Sequence, residues 1–299
     1  MAQFDEQKAY VEQEDVVFFD DGREIELLHF VYSQPNIDEL RGSPEKILAV
    51  IDKYARTKRY LMNVGEDKGK IVTDLIKEVK PQTMVELGGY VGYSTILFGA
   101  AVRQVGGSRY WSLERNPEFA AVISSLIDLA GLSDIVKVVV GPSDASLRRL
   151  HKQGALSSID LMFLDHYKPA YLYDLKLCEQ LHLVSPGSVL AADNVIKPGN
   201  PPYLAYVRSS VAEKRAALGA SEGDAVAEGF SERTAKQYEK REGQEHLNAE
   251  VLGDPGLVYQ SVLVNSWEPT GVPRGVIVKP VTNSGLGEPP GDDQKIDVS

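Results

Sequence analysis

A regular alternation of two sequence patterns between residues 83 and 192 places the strongest limit on what this chain can fold into. Short apolar segments with the length of buried strands alternate with longer segments in which apolar residues recur every three or four positions, as in helices. Such an alternation predicts right-handed βαβ units and a parallel sheet. The five predicted strands are Thr83–Leu87, Arg109–Glu114, Ile135–Val140, Ile159–Leu164 and Ser188–Ala192.

The segments on either side of this region are less regular. Before it, Ser43-Pro44 predicts the start of a helix, since proline is favoured at the first helical position. After it, Leu257–Val264 and Gly275–Pro280 resemble two strands joined by a turn-rich link, which predicts an antiparallel pair. We therefore predict an N-terminal extension (1–40), one domain (41–281) with a charged insertion at about 212–255, and a disordered tail (282–299).

Composition excludes several classes of function. A net charge of −11 argues against nucleic-acid binding, which needs basic surface to neutralise phosphates. The single cysteine, Cys178, excludes an intramolecular disulfide and predicts a small buried side chain on a helix. No segment approaches the ~20 apolar residues of a membrane span, and Met1–Glu14 is polar, so we expect a cytoplasmic protein without a membrane anchor.

Two predicted strands end in acidic residues. Asp165 follows the fourth strand, and Asp193-Asn194 follows the fifth. If these strands are neighbours, their ends lie about 4.8 Å apart, so one cation could bridge both carboxylates. Two carboxylates and an amide oxygen favour Mg²⁺ over softer metals, although these residues could instead cap the following helices. Lys168 could act as a general base beside such a cation or be a solvated lysine at a helix start.

A glycine-rich turn, Gly88–Gly92, follows the first strand. Its spacing differs from the dinucleotide pattern G-x-G-x-x-G because Tyr90 stands at the second glycine position, which favours a nucleoside ligand without phosphates over a nicotinamide cofactor. Glu114 ends the second strand about 20 residues after Gly92, where an acid can bind ribose hydroxyls. Ser143, after the third strand, could contact a purine edge.

Four motifs in chain order together resemble the catechol O-methyltransferase family. They are Met62-Asn63-Val64-Gly65, Glu86-Leu87-Gly88 with Gly92-Tyr93-Ser94, Phe163-Leu164-Asp165-His166 with Lys168, and Ala192-Asp193-Asn194-Val195 with Pro198-Gly199. The similarity runs from about Leu27 to Arg208 and resumes near Asn265. It implies a Rossmann-like class I methyltransferase fold of the α/β class, with helices on both faces of a seven-stranded, mostly parallel sheet whose last strand pair is antiparallel.

The resemblance also implies roles for individual residues. Asp165, Asp193 and Asn194 are implied to bind Mg²⁺, and Lys168 to deprotonate a catechol hydroxyl. Residues implied to contact S-adenosylmethionine are Met62, Asn63, Val64, Glu86, Gly88, Tyr90, Ser94, Glu114, Ser143, Asp165 and His166. Residues implied to contact the substrate are Tyr60, Tyr167, Asn194, Pro198 and Glu268.

The function expected from the resemblance is Mg²⁺-dependent methyl transfer from S-adenosylmethionine to a catechol hydroxyl by a monomer. The family commonly has tryptophan at the positions of Tyr60 and Tyr167, and glutamine at that of Asp144, so substrate preference and adenine contacts are open. Two alternatives are a related cation-dependent O-methyltransferase for another vicinal-diol phenolic and a non-catalytic ligand-binding relative.

Overall fold

A computed structural model describes residues 3–15, 17–218 and 251–283, with the backbone alone described for 274–283. Residues 284–299 of the predicted tail and 219–250 of the predicted insertion lie outside the described residues. Thr282 and Asn283, also predicted to lie in the disordered tail, instead end a strand. The N-terminal helices are α1 (Arg23–Tyr32), α2 (Ile37–Leu40), α3 (Pro44–Thr57) and α4 (Gly65–Val79).

Five parallel strands form the centre of the fold in the order β3-β2-β1-β4-β5. The strands are β1 (Thr83–Leu87), β2 (Arg109–Glu114), β3 (Val136–Val140), β4 (Leu161–Leu164) and β5 (Val189–Asp193). The connecting helices are α5 (Tyr93–Gln104), α6 (Pro117–Leu129), α7 (Ser143–Lys152) and α8 (Ala170–Gln180). This is a Rossmann-like α/β arrangement, in which the order of strands reverses between β1 and β4.

Three antiparallel strands extend the sheet beyond β5. They are β6 (Leu257–Tyr259), β7 (Val262–Trp267) and β8 (Pro273–Asn283), and they follow helices α9 (Pro201–Arg208) and α10 (Val211–Leu218) along the chain. β8 pairs with β5 on one side and with β6 and β7 on the other. The predicted count of seven strands is therefore wrong: five strands are parallel, and the single strand predicted at Leu257–Val264 is interrupted at Gln260 and Ser261.

Helices cover both faces of the parallel strands because successive residues of each strand point to opposite faces. Met84 and Leu161 belong to one apolar core with α1, α3, α4, α5 and α6. Their neighbours Val85 and Met162 belong to a second core with α7, α8 and α9. Cys178 is buried in this second core on α8, as predicted.

The N-terminal helices are packed directly on the domain. Leu27 and Val31 of α1 are fully buried in the same core as β1. The segment 60–64 forms no helix or strand, but its Leu61 and Val64 are buried, so it contributes to the core. Among the residues described, no helix combines the length and apolar character needed to cross a membrane.

Candidate active site

A cleft of about 1620 Å³ opens at the carboxyl ends of the parallel strands. This is where ligands bind in open α/β sheets, next to the point where the strand order reverses. Every residue predicted to bind cofactor, metal or substrate lines this cleft, except Glu86, which is fully buried on β1. The topology thus brings residues from seven separate parts of the sequence to one edge of the sheet.

The ends of β4 and β5 carry the two predicted acids side by side. Leu164 pairs with Ala192 in the parallel register, so Asp165 and Asp193 leave adjacent strands at the same level. Burial raises the pKa of Asp165 to about 6, with Lys168 opposing this effect and the Asp193 carboxylate adding to it. The two carboxylates are therefore close enough to repel each other.

Lys168 lies against this pair and is nearly buried, with 7% of its surface exposed. Its Nζ atom donates hydrogen bonds to Asp165 Oδ1 at 3.0 Å and to Tyr171 Oη at 2.6 Å. The Tyr171 hydroxyl donates in turn to the carbonyl oxygen of Leu164 at 2.7 Å. Hydrogen bonds to neighbouring groups thus fix the amine at the wall of the cleft, and the alternative of a solvated lysine is wrong.

A second lysine in the cleft, Lys68 on α4, was not identified from the sequence. Its side chain is 1% exposed, and its Nζ atom lies 2.5 Å from Asp193 Oδ2 and 3.0 Å from Glu268 Oε1. Burial lowers the pKa of Lys68, but the carboxylates of Asp193, Glu268 and Asp165 outweigh burial and raise it overall. Lys68 is consequently a fixed positive charge beneath the acidic strand ends.

Glu268 reaches the same place from β7's C-terminal end. Its Oε1 atom accepts a hydrogen bond from Asn194 Nδ2 at 2.8 Å as well as the one from Lys68. Asn194 has a positive φ of 55°, a conformation that asparagine tolerates better than most residues. The structure thus brings Glu268 beside Asn194, although the charged insertion separates them in sequence.

The oxygen donors at the strand ends fit Mg²⁺. Within the described ranges no group of three His, Cys, Asp or Glu side chains could hold a metal, so a site here depends on Asp165, Asp193 and the Asn194 amide. A small number of hard oxygen donors suits Mg²⁺, because this ion usually keeps some of its coordination positions for water and substrate oxygens. A divalent cation would also relieve the repulsion from Asp193, which adds to the effect of burial in raising the pKa of Asp165.

The glycine-rich turn after β1 is held from below by Glu114. Its Oε2 atom accepts hydrogen bonds from the backbone N–H groups of Gly89 and Tyr90 at 3.1 and 2.9 Å. Gly88 has a φ of +88°, and a Cβ atom there would lie 2.7 Å from the carbonyl oxygen of Asp165. Glycine is therefore required at this position because the turn passes directly over the end of β4.

Glu86 lies behind this turn and does not reach the cleft. Its Oε2 atom accepts hydrogen bonds from Thr95 at 2.6 Å and Ser112 at 2.8 Å. Burial raises the pKa of Glu86 to about 7, and hydrogen bonds from Ser94 and from these two hydroxyls oppose the effect. Ser94 itself lines the cleft at the first turn of α5.

Ser143 and His166 are joined by a residue that was not predicted, Asp174 on α8. Its Oδ2 atom accepts hydrogen bonds from Ser143 Oγ at 2.5 Å and from His166 Nε2 at 2.8 Å. The imidazole of His166 stacks on Tyr171 with ring centroids 4.8 Å apart. His166 Nδ1 and Asp174 Oδ1 are buried and have no hydrogen-bond partner among the described residues.

The remaining predicted residues form the walls of the cleft. Tyr60 is 8% exposed, and the ring of Phe18 meets it edge-on with centroids 6.2 Å apart. Tyr167 lies half-buried between His166 and Lys168, and Pro198 follows β5 in the turn Val195–Gly199. Met62, Asn63 and Val64 line the cleft just before α4.

The residues missed by the sequence analysis all lie on helix faces that turn inward. Lys68 lies one helical turn before Val72 and two turns before Ile76, all three buried. Asp174 likewise shares the buried face of α8 with Tyr171 and Cys178. A charged residue on an otherwise apolar helix stripe was the signal that could have identified both.

Comparison with known proteins gives the family. The O-methyltransferase family model matches residues 43–202. Catechol O-methyltransferase of Mus musculus is 41% identical over 169 residues, a match that covers 56% of this chain and 63% of the mouse protein. Catechol O-methyltransferase of Sus scrofa is 42% identical over 151 residues, covering 50% of this chain and 80% of the pig protein.

A likeness to solved structures is also present. The crystal structure of an O-methyltransferase from Bacillus cereus in complex with SAH is 19% identical, covers 87% of this chain and 97% of its own, and superposes with a TM-score of 0.49. The family match spans more than half of the chain, so the chain belongs to the O-methyltransferase family. The aligned region spans less than two thirds of the length of the mouse catechol O-methyltransferase.

Proposed function

We propose that this protein transfers the methyl group of S-adenosylmethionine to one hydroxyl oxygen of a catechol in a Mg²⁺-dependent reaction. The observation that carries the proposal is the grouping of Asp165, Asp193, Asn194 and Lys168 in one cleft. The relatives named catechol O-methyltransferase support it.

S-adenosylmethionine would lie across the ends of β1, β2 and β3. Glu114 would face the ribose, and Ser143 with His166 would face the adenine, because these residues line that end of the cleft. Gly88 allows the ligand to approach the backbone closely, and the turn carries no basic residue for a phosphate. The remaining members of the proposed cofactor site are Met62, Asn63, Val64, Tyr90, Ser94 and Asp165, with Glu86 supporting the turn from behind.

Asp165, Asp193 and Asn194 would hold Mg²⁺. When bound, the ion would lower the pKa of a catechol hydroxyl and fix its orientation. Lys168 Nζ is the base that we assign to accept the proton of the reacting hydroxyl. Tyr171 and Asp165 hold this amine in place, at 2.6 and 3.0 Å.

Glu268 would accept a hydrogen bond from the second hydroxyl of the catechol. Lys68 and Asn194 both donate to its Oε1 atom and so hold the side chain at the strand ends. Tyr60, Tyr167 and Pro198 would enclose the ring, which orients the reacting oxygen. Holding the substrate in this orientation would increase the rate of methyl transfer although these three side chains take no part in the reaction themselves.

A substrate panel tests the proposal. Methyl transfer from labelled S-adenosylmethionine should occur with catechol and fail with phenol, which lacks the second hydroxyl. Equal transfer to both would contradict the proposal. Preference for acyl-conjugated vicinal diols over small catechols would favour a related O-methyltransferase. Binding of S-adenosylmethionine in calorimetry, without turnover of any phenolic, would favour a non-catalytic relative. Binding of NAD instead of S-adenosylmethionine would contradict the assignment of the cofactor.

A further inference from the structure

Arg23, the first residue of α1, is fully buried although arginine is almost always exposed. Its guanidinium donates to both carboxylate oxygens of Asp21 at 2.9 Å and to those of Glu14 at 3.1 and 3.2 Å. It also donates to the carbonyl oxygens of Tyr60 at 2.7 Å and Val17 at 3.2 Å. All of its N–H groups are engaged, as a buried guanidinium requires.

These bonds tie one segment to the wall of the cleft. We call residues 13–15 and 17–21 the N-terminal strap. Glu14, Val17 and Asp21 of the strap bind the same guanidinium as the backbone of Tyr60, the predicted substrate wall. Hydrogen bonding to Asp21 raises the pKa of Arg23, and hydrogen bonding to Arg23 lowers that of Asp21 far below its ordinary range.

The strap forms part of the lining of the cleft. Gln13, Asp15 and Val17–Asp20 line the cleft. Phe18 packs edge-on against Tyr60 at 6.2 Å and tilted against Phe19 at 5.4 Å. At its other end, the backbone N–H of Asp20 donates to Glu24 at 2.9 Å, and Glu24 also accepts from the Tyr90 hydroxyl at 2.9 Å.

We infer that Arg23 is a positioning residue that holds the strap over the cleft, so that Phe18 and Tyr60 form an aromatic wall selecting catechols with an apolar ring substituent. The inference rests on the proposed function, because the wall would face the ring of the substrate. Phe18 and Tyr60 both line the cleft, and the carboxylates of Glu14 and Asp21 are turned toward the guanidinium. An apolar substituent would add contact with Phe18 beyond the contact that Tyr60 makes with the catechol ring itself.

The test compares dissociation constants for catechol and 4-tert-butylcatechol, measured by calorimetry with Mg²⁺ and S-adenosylhomocysteine present. Phe18→Ala should weaken binding of the substituted catechol about fivefold to tenfold and leave that of catechol nearly unchanged. Arg23→Met should reduce the preference for 4-tert-butylcatechol over catechol, because it releases the strap. Glu14→Ala provides a second variant in case Arg23→Met does not fold, since Glu14 is partly exposed.

Phe30→Ala is the matched control, because Phe30 lies on α1, packs edge-on against Tyr54 and lies outside the cleft. It should leave the ratio of the two dissociation constants unchanged. An unchanged ratio in both Phe18→Ala and Glu14→Ala, with tight binding by the wild type, would overturn this inference alone. Failure of the wild type to bind either catechol would overturn both this inference and the proposed function.

Discussion

Two buried clusters in this protein contain the same residue types but differ in what their polar atoms contact. The strand-end cluster consists of Asp165, Asp193, Lys168 and Tyr171. The insertion-base cluster consists of Glu179, Lys214, Tyr206 and Tyr259, where the chain enters and leaves residues 219–250. Each contains carboxylate, lysine and tyrosine, so composition does not distinguish them.

In the insertion-base cluster, both oxygens of Glu179 are occupied. Tyr206 Oη and the backbone N–H of Asp254 donate to Oε2 at 2.5 and 2.8 Å, and Tyr259 Oη donates to Oε1. Lys214 donates to the carbonyl oxygen of Leu257 at 2.9 Å and lies over the rings of both tyrosines. Saturated contacts between α8, α10 and β6 are typical of a structural cluster.

In the strand-end cluster, Asp193 is buried and paired with Lys68, whereas Asp165 keeps part of its surface toward the cleft and, among the described residues, only its Oδ1 atom is paired, with Lys168. The side chain of Asp165 is 22% exposed, and repulsion from Asp193 contributes to its raised pKa. Such an arrangement costs stability and is retained where a ligand completes it. The comparison teaches that incomplete pairing at a cleft, more than the presence of charged residues, marks a functional site.

The largest expected effect is that of Lys168→Ala on turnover. Removal of the base should lower kcat by about 10²–10⁴-fold and leave the affinity for S-adenosylhomocysteine unchanged, because Lys168 is assigned to the substrate side. Steady-state kinetics and calorimetry measure the two quantities. Lys152→Ala, at an exposed lysine on α7, is the matched control. Equal losses in turnover and in affinity for S-adenosylhomocysteine would count against the assignment of Lys168 as the base.

Glu179→Leu should lower the stability of the protein and leave its turnover unchanged. Removing the carboxylate leaves two tyrosine hydroxyls and the backbone N–H of Asp254 without their acceptor, and the buried Lys214 without its nearby negative charge. These losses should lower the free energy of unfolding by about 3–5 kcal/mol. Urea unfolding measures this change, and Glu179→Gln, which retains an acceptor, should lose less. Turnover per folded molecule should stay at the wild-type level. A loss of turnover with no change in stability would reverse the assignment of the two clusters.

Glu86 gives a pH-dependent test because it is buried without a lysine. Its folded-state pKa of about 7 exceeds its ordinary value of 4.5, so the folded protein binds a proton that the unfolded chain releases between these values. The stability from this group is fully present below pH 4.5 and is lost as the pH rises through 7, a change on the order of 3 kcal/mol.

Glu86→Gln should therefore flatten this fall in the free energy of unfolding, measured with urea between pH 4.5 and 8. The exposed Glu118→Gln is the control and should leave the profile as in the wild type. A Glu86→Gln profile parallel to the wild type would show that this carboxyl is ionised in the folded protein.

The smallest expected effect is that of Asp174→Ala. Loss of its bonds to Ser143 and His166 should weaken S-adenosylhomocysteine binding about tenfold, by releasing both side chains at the adenine end. Calorimetry provides the measurement, and Asp174→Asn, which keeps an acceptor, should bind nearly as tightly as the wild type. Unchanged binding by Asp174→Ala would place the cofactor elsewhere in the cleft.

The sequence predicted the part of the fold that depends on local pattern. Strand and helix periodicity placed β1 to β5 within a few residues, and the ends of these strands brought Asp165, Asp193 and Glu114 to one cleft. Helix α9 was missed, although Asn200 before Pro201 is a helix-start signal: Asn200 accepts a hydrogen bond from the backbone N–H of Tyr203.

The rest depends on contacts between distant segments. The interruption between β6 and β7, and the pairing of Lys68 with Glu268 across 200 residues, follow from tertiary packing that no local pattern records. Arg23 was missed for the same reason, because its partners Glu14, Asp21 and Tyr60 converge only in the folded chain.

The central claim is that the strand-end acids and Lys168 operate together on a catechol and a divalent cation. Methyl transfer from labelled S-adenosylmethionine to catechol, measured with Mg²⁺ and again with a chelator, tests it most directly. We expect singly methylated product with Mg²⁺, none with chelator, and full recovery when Mg²⁺ is restored. Undiminished transfer in the presence of chelator would contradict the account.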